Sequence, residues 1–300
     1  MLDLDFAFFN LINQTRTGLA FKKVFLDKLA PIFYAPRLKR IIKLPYMEAC
    51  GGNIMLPLGI ANLQDLQHES KHLLAGKIGS LLQEYKLRYL AVDRRLKNQL
   101  TDITDGQVLV HGDNFIKALA HVFIKELLTR YELHKIIIVG TIEDFPGFIS
   151  SLEQYGLPIS IQALYPQQQE LFAHHLLYEK GQAVSTSYLN PQNWGRDDLV
   201  FILTDLTETI TDGKNAALTI YLNNCSCSLA PRLDSEFERN GLFPVLYNLA
   251  PILESCLLAK AGIQNFGTES ITVNAPNTEF LTLENIGYQW GLWELFLDKV

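Results

Sequence analysis

Unbroken apolar runs recur through the second half of the chain, and residues at helical spacing follow each of them. The runs predict strands over 108–110, 135–139, 159–164, 199–203 and 218–222. Between them the spacing predicts a long helix capped by Asp113 or Asn114, a helix ending at Gly156 and another ending at Gly181. Strands that are apolar on both faces need helices on both sides of their sheet. The pattern therefore predicts an α/β fold with a doubly wound parallel sheet over about 107–222.

The first half is less regular, although each segment still carries a signal. Residues 1–38 begin with Phe6, Phe8 and Phe9 and continue at mixed helical spacing, which predicts one or two helices. The β-rich runs at 41–47 and 54–60, separated by residues 49–53 with Gly51 and Gly52, predict a hairpin or two strands joined by a short loop. A helix is predicted over 63–85, and a strand over 87–92 that ends at Asp93. The polar residues 94–106 are interpreted as a linker.

This linker divides the chain into two predicted domains, in agreement with a length of 300 residues. The first is a smaller α/β domain over 1–103. The second, over 104–300, carries the Rossmann-like sheet and a C-terminal helical segment. In that segment five apolar residues recur at spacings of three and four, namely Leu283, Ile286, Trp290, Trp293 and Leu297. They predict one helix with a buried stripe, covered by the N-terminal domain or, as the alternative, by a second subunit.

Composition and charge narrow the class of protein. The chain is 48% hydrophobic and 19% charged, which excludes a disordered protein. A net charge of -6 argues against nucleic-acid binding. The apolar segment 242–263 contains Asn248, Glu254 and Lys260, so we expect a buried helix and no membrane partner. Four cysteines without C-x-x-C spacing, and no basic leader, favour a cytoplasmic protein.

The candidate cofactor-binding residues follow two of the predicted strands. In a doubly wound sheet the first strand-to-helix turn carries the dinucleotide fingerprint G-x-G-x-x-G. We assign that turn to Gly112, Asp113 and Asn114, where only the first glycine of the fingerprint is present. Gly140 and Thr141 follow the next strand and complete the predicted site. No carboxylate stands at that strand end to bind a ribose.

A second motif is His68-Glu69-Ser70-Lys71-His72, which matches the zinc-hydrolase pattern H-E-x-x-H. Histidines four residues apart share one face of a helix and can bind one zinc ion. The face opposite them carries the leucines of this predicted helix, and no other histidine stands in a third-ligand signature. We interpret the motif as a solvated or interfacial helix face, and no metal site is predicted.

In its order of a small α/β domain, a Rossmann-like domain and a closing C-terminal helical segment, the chain resembles the shikimate dehydrogenase and amino-acid dehydrogenase group. The resemblance is architectural and spans about residues 40–300. It implies a nicotinamide cofactor, NAD or NADP, and a substrate in the cleft between the domains. The shikimate enzymes carry a catalytic Lys and Asp facing that cleft. Asp93 stands at a strand end near it, and no catalytic residue is assigned.

Three functional hypotheses follow. The first is a protein that kept the Rossmann-like fold and lost catalysis, binding a nucleotide or small metabolite in the interdomain cleft. The alternative is an NAD(P)-dependent oxidoreductase acting on a small polar substrate. A zinc hydrolase using His68 and His72 is the third. For partners we expect a small-molecule ligand, and a homodimer is a further candidate.

Overall fold

The computed structural model describes residues 4–12, 15, 17–18, 23–97, 108–141, 145–203, 217–223, 230–262 and 279–297. The strands are β1 Phe6–Leu11, β2 Arg37–Leu44, β3 Ala49–Leu56, β4 Tyr89–Val92, β5 Val108–Val110, β6 Lys135–Val139, β7 Ile159–Ala163, β8 Val184–Tyr188, β9 Asp198–Ile202 and β10 Leu218–Tyr221. The helices are α1 Lys23–Phe33, α2 Ile60–Asp65, α3 His68–Glu84, α4 Asp113–Arg130, α5 Phe145–Ser151, α6 Gln167–Lys180, α7 Pro231–Arg239, α8 Leu246–Lys260, α9 Glu279–Gln289 and α10 Glu294–Leu297.

The chain forms two compact units, and each unit is built from two separate stretches of sequence. The first unit comprises Met1–Gly112 and Pro231–Ser270, and the second comprises Asp113–Ala230 and Ile271–Val300. The expected division at residues 103 and 104 differs from this arrangement in two ways. Strand β5 follows that point and still belongs to the first unit, and α7 and α8 return to the first unit from late in the sequence.

The first unit contains a sheet with the order β2-β3-β1-β4-β5. Its strands are parallel except β2, which pairs antiparallel with β3. The prediction of helix at the start of the chain is wrong for Phe6–Leu11, which forms the central strand β1. Phe6, Phe8 and Phe9 are fully buried because helices cover both faces of this strand, with α1 and α3 on one side and α8 on the other.

Of the two alternatives for the runs in the first half, the structure shows the hairpin, in which β2 pairs antiparallel with β3, but its turn lies elsewhere. Residues Pro45–Met47 form a 3-10 turn, and Glu48 takes the left-handed conformation with φ 47°. Gly51 and Gly52, expected in the turn, lie inside β3. Gly51 is needed there for space, since a Cβ at this position would stand 2.3 Å from the Phe6 ring.

The second unit contains a sheet with the order β10-β9-β6-β7-β8, and every pair in it is parallel. The predicted Rossmann-like doubly wound sheet is thereby confirmed. One part of the prediction is wrong, because β5 pairs with β4 in the first sheet. The polar strand β8 was not predicted. The predicted caps Gly156 and Gly181 do take left-handed conformations, with φ 64° and φ 67°.

The apolar residues near the C-terminus form two helices rather than one. Helix α9 ends at Gln289, and Gly291 follows with a left-handed φ of 62° that reverses the chain before α10. Trp290 leaves the predicted stripe because of this break and is half-buried. The stripe is covered within the second unit by α4, whose Phe115 ring lies 5.4 Å from the ring of Trp293. The expected cover by the N-terminal domain is corrected accordingly.

The apolar segment 242–263 contains α8, and most of this helix is buried against β1, β4 and β5. Among the described residues, no helix is both long and apolar enough to cross a membrane. Cys50 and Cys256 are free thiols. Cys225 and Cys227 lie outside the described residues.

Candidate functional site

The strand order of the second sheet reverses at β6. From β6 the chain moves outward through β7 to β8, and it then returns to the other side of β6 to form β9 and β10. At such a reversal the chain connections on either side run over opposite faces of the sheet and leave a crevice beyond the carboxyl ends of the two neighbouring strands, here β6 and β9. In open α/β sheets this crevice is the usual ligand site. It makes β6 the first strand of the Rossmann-like order.

Gly140 and Thr141 stand at this crevice, directly after β6. The Gly140 N–H donates a hydrogen bond of 2.9 Å to the carbonyl oxygen of Gln162. Gly140 takes φ 94°, a conformation that turns the chain sharply away from the strand end. Thr141 is exposed. In the pattern G-x-G-x-x-G, Gly140 is the first glycine, and Ile142 and Phe145 replace the other two.

The end of the second strand in this order, β7, lacks the group that usually binds a ribose. An acidic residue commonly stands there in NAD-binding folds, and an arginine in NADP-binding ones. Here Ala163 is followed by Leu164 and Tyr165, which are 55% and 68% exposed. The buried Gln162 side chain serves the fold, because its oxygen accepts hydrogen bonds from the Trp194 indole at 2.9 Å and the Asn190 N–H at 3.2 Å.

The other predicted cofactor-binding residues lie elsewhere. Gly112 follows β5, an edge strand of the first sheet, so its turn is not the first strand-to-helix turn of the second sheet. A Cβ on Gly112 would stand 2.6 Å from the backbone nitrogen of Pro251 in α8. Asp113 begins α4, and the Asn114 amide donates a 3.1 Å hydrogen bond to Glu279. The predicted set of five is therefore split between two strand ends belonging to different sheets.

Polar residues gather at the carboxyl edge of the first sheet. Asn10 lies at the end of β1, Asp93 follows β4 and His111 follows β5, and these three strands are neighbours. The Asp93 N–H donates a 3.2 Å hydrogen bond to the carbonyl oxygen of Phe9. The Arg94 guanidinium donates one of 3.3 Å to the carbonyl oxygen of His111. Asp93 is 1% exposed. The sequence signalled this edge only through Asp93 at a strand end.

The H-E-x-x-H motif occupies the first turn and a half of α3. His68, Glu69 and His72 are exposed, whereas Ser70 is buried and donates a 3.0 Å hydrogen bond to the carbonyl oxygen of Asp27. The buried side of this helix turn thus faces α1, and the histidines face away from it. Within the described ranges, no group of three or more His, Cys, Asp or Glu residues is placed to hold a metal ion.

A buried polar cluster in the second unit was missed in the sequence. His121 of α4 is 1% exposed, and its Nδ1 lies 2.6 Å from a carboxylate oxygen of Glu284 in α9. Lys125 donates a 2.5 Å hydrogen bond to the other oxygen of that carboxylate. The Tyr155 hydroxyl, from the 3-10 turn after α5, lies 2.8 Å from His121 Nε2. We call these four residues the α4–α9 cluster.

The charges of the α4–α9 cluster follow from its geometry. Burial raises the pKa of Glu284, but the hydrogen bonds from His121 and Lys125 and the positive charge of Lys125 outweigh this and hold that pKa below its ordinary value. Burial and the neighbouring Glu284 carboxylate raise the pKa of Tyr155. The phenol therefore stays protonated and donates to His121 Nε2, while His121 Nδ1–H donates to the Glu284 carboxylate. The cluster joins α4, α9 and the 3-10 turn.

No protein-family model matches the chain, and no curated protein matches its sequence. Among solved structures, the chain is similar to L-tryptophan dehydrogenase from Nostoc punctiforme, with a TM-score of 0.47, 12% identity, and coverage of 96% of this chain and 81% of that one. It is similar to the hetero-hexameric glutamate dehydrogenase from Thermus thermophilus, with a TM-score of 0.43, 11% identity, and coverage of 98% and 80%. For quinate dehydrogenase from Corynebacterium glutamicum the TM-score is 0.37 at 8% identity, with coverage of 96% and 100%. These structures come from the groups that the sequence resembles.

Proposed function

We propose that the second unit binds a nucleotide, with NAD or NADP as the expected class, in the crevice beyond β6 and β9. The observation that supports this proposal is the reversal of strand order at β6, with Gly140 and Thr141 directly after that strand. Two of the three fingerprint glycines are replaced, so the phosphates approach the backbone less closely and affinity is lower than in an intact fingerprint. Residues Gly112–Asn114 are not part of this proposed site.

Substituting Thr141 tests the proposal without disturbing the fold, because this side chain is exposed. Thr141→Glu places a negative charge beside the phosphates, and we expect the dissociation constants of NAD and NADP to rise about tenfold or more by calorimetry. Thr282→Glu, an exposed threonine on α9, is the matched control and should leave both constants unchanged. Equal effects of the two variants, or no binding by the unaltered chain, would refute the proposal.

The residues that follow β7 predict how strongly the same calorimetric titration will distinguish NAD from NADP. Neither an acid nor an arginine follows Ala163 in the next five residues, so the site has no charged side chain there to distinguish a ribose hydroxyl from a 2′-phosphate. The affinities for NAD and NADP should therefore differ by less than about tenfold.

A second candidate function is oxidation or reduction of a small polar substrate. It is favoured by Asn10, Asp93 and His111 at the carboxyl edge of the first sheet. The side-chain oxygen of Asn10 is buried and accepts no hydrogen bond from any described residue, so a donor group of a ligand would satisfy it. Asp93 and His111 are of the types that exchange protons with substrates.

For this second candidate, we expect Asp93→Asn to lower turnover while leaving nucleotide affinity unchanged. The probe is oxidation of NADH or NADPH with a panel of small 2-oxo acids and cyclic hydroxyketones. Loss of a general acid or base costs about a hundredfold or more in rate. If Asp93→Asn retained its turnover, Asp93 would be excluded as the general acid or base. If the unaltered chain turned over no substrate of the panel, binding without catalysis would be favoured.

A further inference from the structure

One edge strand in each sheet, β2 and β8, differs from the other in how well it is protected against pairing with a further strand. Strand β2 is an edge strand of the first sheet and carries four exposed cationic side chains, namely Arg37, Lys39, Arg40 and Lys43. The backbone groups on the outer side of β2 are also hydrogen-bonded at Lys43. The Asn240 side chain accepts a hydrogen bond from the Lys43 N–H at 2.9 Å and donates one to the Lys43 carbonyl oxygen at 2.8 Å. Charge and side-chain pairing of this kind keep other strands from adding to an edge.

Strand β8, at the edge of the second sheet, carries neither protection. Its sequence is Val-Ser-Thr-Ser-Tyr, without a charge or a proline. It pairs with β7 on one side, and no strand in the described part of the chain lies on its other side. Ser185, Ser187 and Tyr188 are exposed. The five residues offer backbone N–H and C=O groups to an added strand.

Helix α6 beside this edge exposes more apolar surface than it buries. Leu176 is its one fully buried residue, whereas Leu171, Leu177 and Tyr178 are 80%, 46% and 84% exposed. A groove of about 410 Å³ lies between α6 and β8, lined among others by Ala173, His174, Leu177, Val184 and Thr186. Together the exposed apolar side chains of α6 and β8 offer on the order of 500 Å², against about 800 Å² per partner in a standard interface.

We propose that β8 and α6 form the interface of a symmetric homodimer, with β8 pairing antiparallel to the β8 of a second copy. An uncharged edge strand complements itself about a two-fold axis, since no side chain then faces a like charge. Pairing centred on Thr186 places Ser185 opposite the partner's Ser187. The same axis sets the two α6 helices side by side on one face of a continuous sheet, where each covers the groove of the other. The proposal is independent of the nucleotide site.

Charge placed on β8 tests this interface. Ser185→Lys with Ser187→Lys brings four like charges together across the axis, and we expect the dimer dissociation constant to rise about a hundredfold in sedimentation velocity. The matched control, Thr282→Lys with Asn285→Lys on the exposed side of α9, adds the same charge and should leave the constant unchanged. Leu177→Asp, which leaves the strand untouched, should also weaken the dimer.

A complementary pair of chains separates loss of the interface from loss of folding. Ser185→Glu with Ser187→Glu should likewise be monomeric alone, and mixing it with the lysine variant should restore a dimer of one chain of each kind. An unaltered chain that remains monomeric at about 100 µM overturns the proposal. So does a dimer that the lysine pair leaves intact, or a mixture that stays monomeric although both variants melt cooperatively.

Discussion

Replacing Glu284 with alanine is expected to lower the free energy of unfolding of the second unit by about 3–5 kcal/mol. The substitution removes the carboxylate that accepts hydrogen bonds from His121 and Lys125, and it leaves the fully buried His121 Nδ1–H without its acceptor. All three tryptophans, Trp194, Trp290 and Trp293, belong to this unit. Tryptophan fluorescence during urea denaturation therefore reports its unfolding directly.

Glu294→Ala is the control for this measurement. Glu294 is exposed at the start of α10, and its loss should change the free energy of unfolding by no more than about 0.5 kcal/mol. If the two alanine variants unfolded at the same urea concentration, the α4–α9 cluster would contribute nothing to stability.

The same cluster predicts a dependence of stability on pH. Because the folded-state pKa of Glu284 lies below its ordinary value, the ionised form is favoured by folding. This contribution is complete above the unfolded-state pKa of about 4.3 and is lost as the pH falls through the folded-state value. The difference in stability between the unaltered chain and Glu284→Ala should therefore be constant near neutral pH and shrink below about pH 4.3.

The second large effect is expected from Gly112→Ala, which should destabilise the first unit by about 4 kcal/mol. Two costs combine: a left-handed φ of 81° at a residue with a Cβ costs about 1–2 kcal/mol, and overlap with the α8 backbone adds about 1–3 kcal/mol. The backbone of Ala250–Pro251 cannot rotate away as a flexible side chain would. Hydrogen exchange of the β1 and α8 peptides measures this loss, because no tryptophan belongs to the first unit.

Gly181→Ala separates the two costs. Gly181 has a similar left-handed φ of 67°, but a Cβ there would meet no atom within 4 Å. Gly181→Ala should therefore lower the free energy of unfolding by only about 1–2 kcal/mol. A Gly112→Ala variant as stable as Gly181→Ala would show that α8 does not approach Gly112 closely.

The sequence predicts regular elements well where one local signal decides them. Strands β6 and β9 are apolar on both faces, β7 and β10 are short runs rich in Ile and Leu, and the left-handed caps Gly156 and Gly181 follow their helices. The sequence does not predict the edge strand β8, because its residues are mostly polar and exposed and therefore show no apolar pattern. The sequence does not identify the Phe-rich strand β1, because residues buried on both faces show no period of two.

The candidate site depended on pairings that no local pattern contains. An apolar run such as Val108–Val110 predicts a strand without naming its partner, so the prediction places β5 in the second sheet, whereas it pairs with β4 in the first. The α4–α9 cluster unites His121 with Glu284, 163 positions apart. Its members are ordinary polar residues within helical patterns, and only tertiary structure brings them together.

The discontinuous make-up of both units determines when each can fold during synthesis. Strand β1 emerges from the ribosome long before α8, which covers one face of it and follows more than 230 residues later. The second unit likewise needs α9 to cover α4. One apolar face of β1, and the face of α4 that packs on α9, therefore remain uncovered while the intervening residues are synthesised, which exposes the nascent chain to aggregation. No single cut in the chain releases either unit whole, so a fragment ending at residue 112 lacks the helix that completes its core.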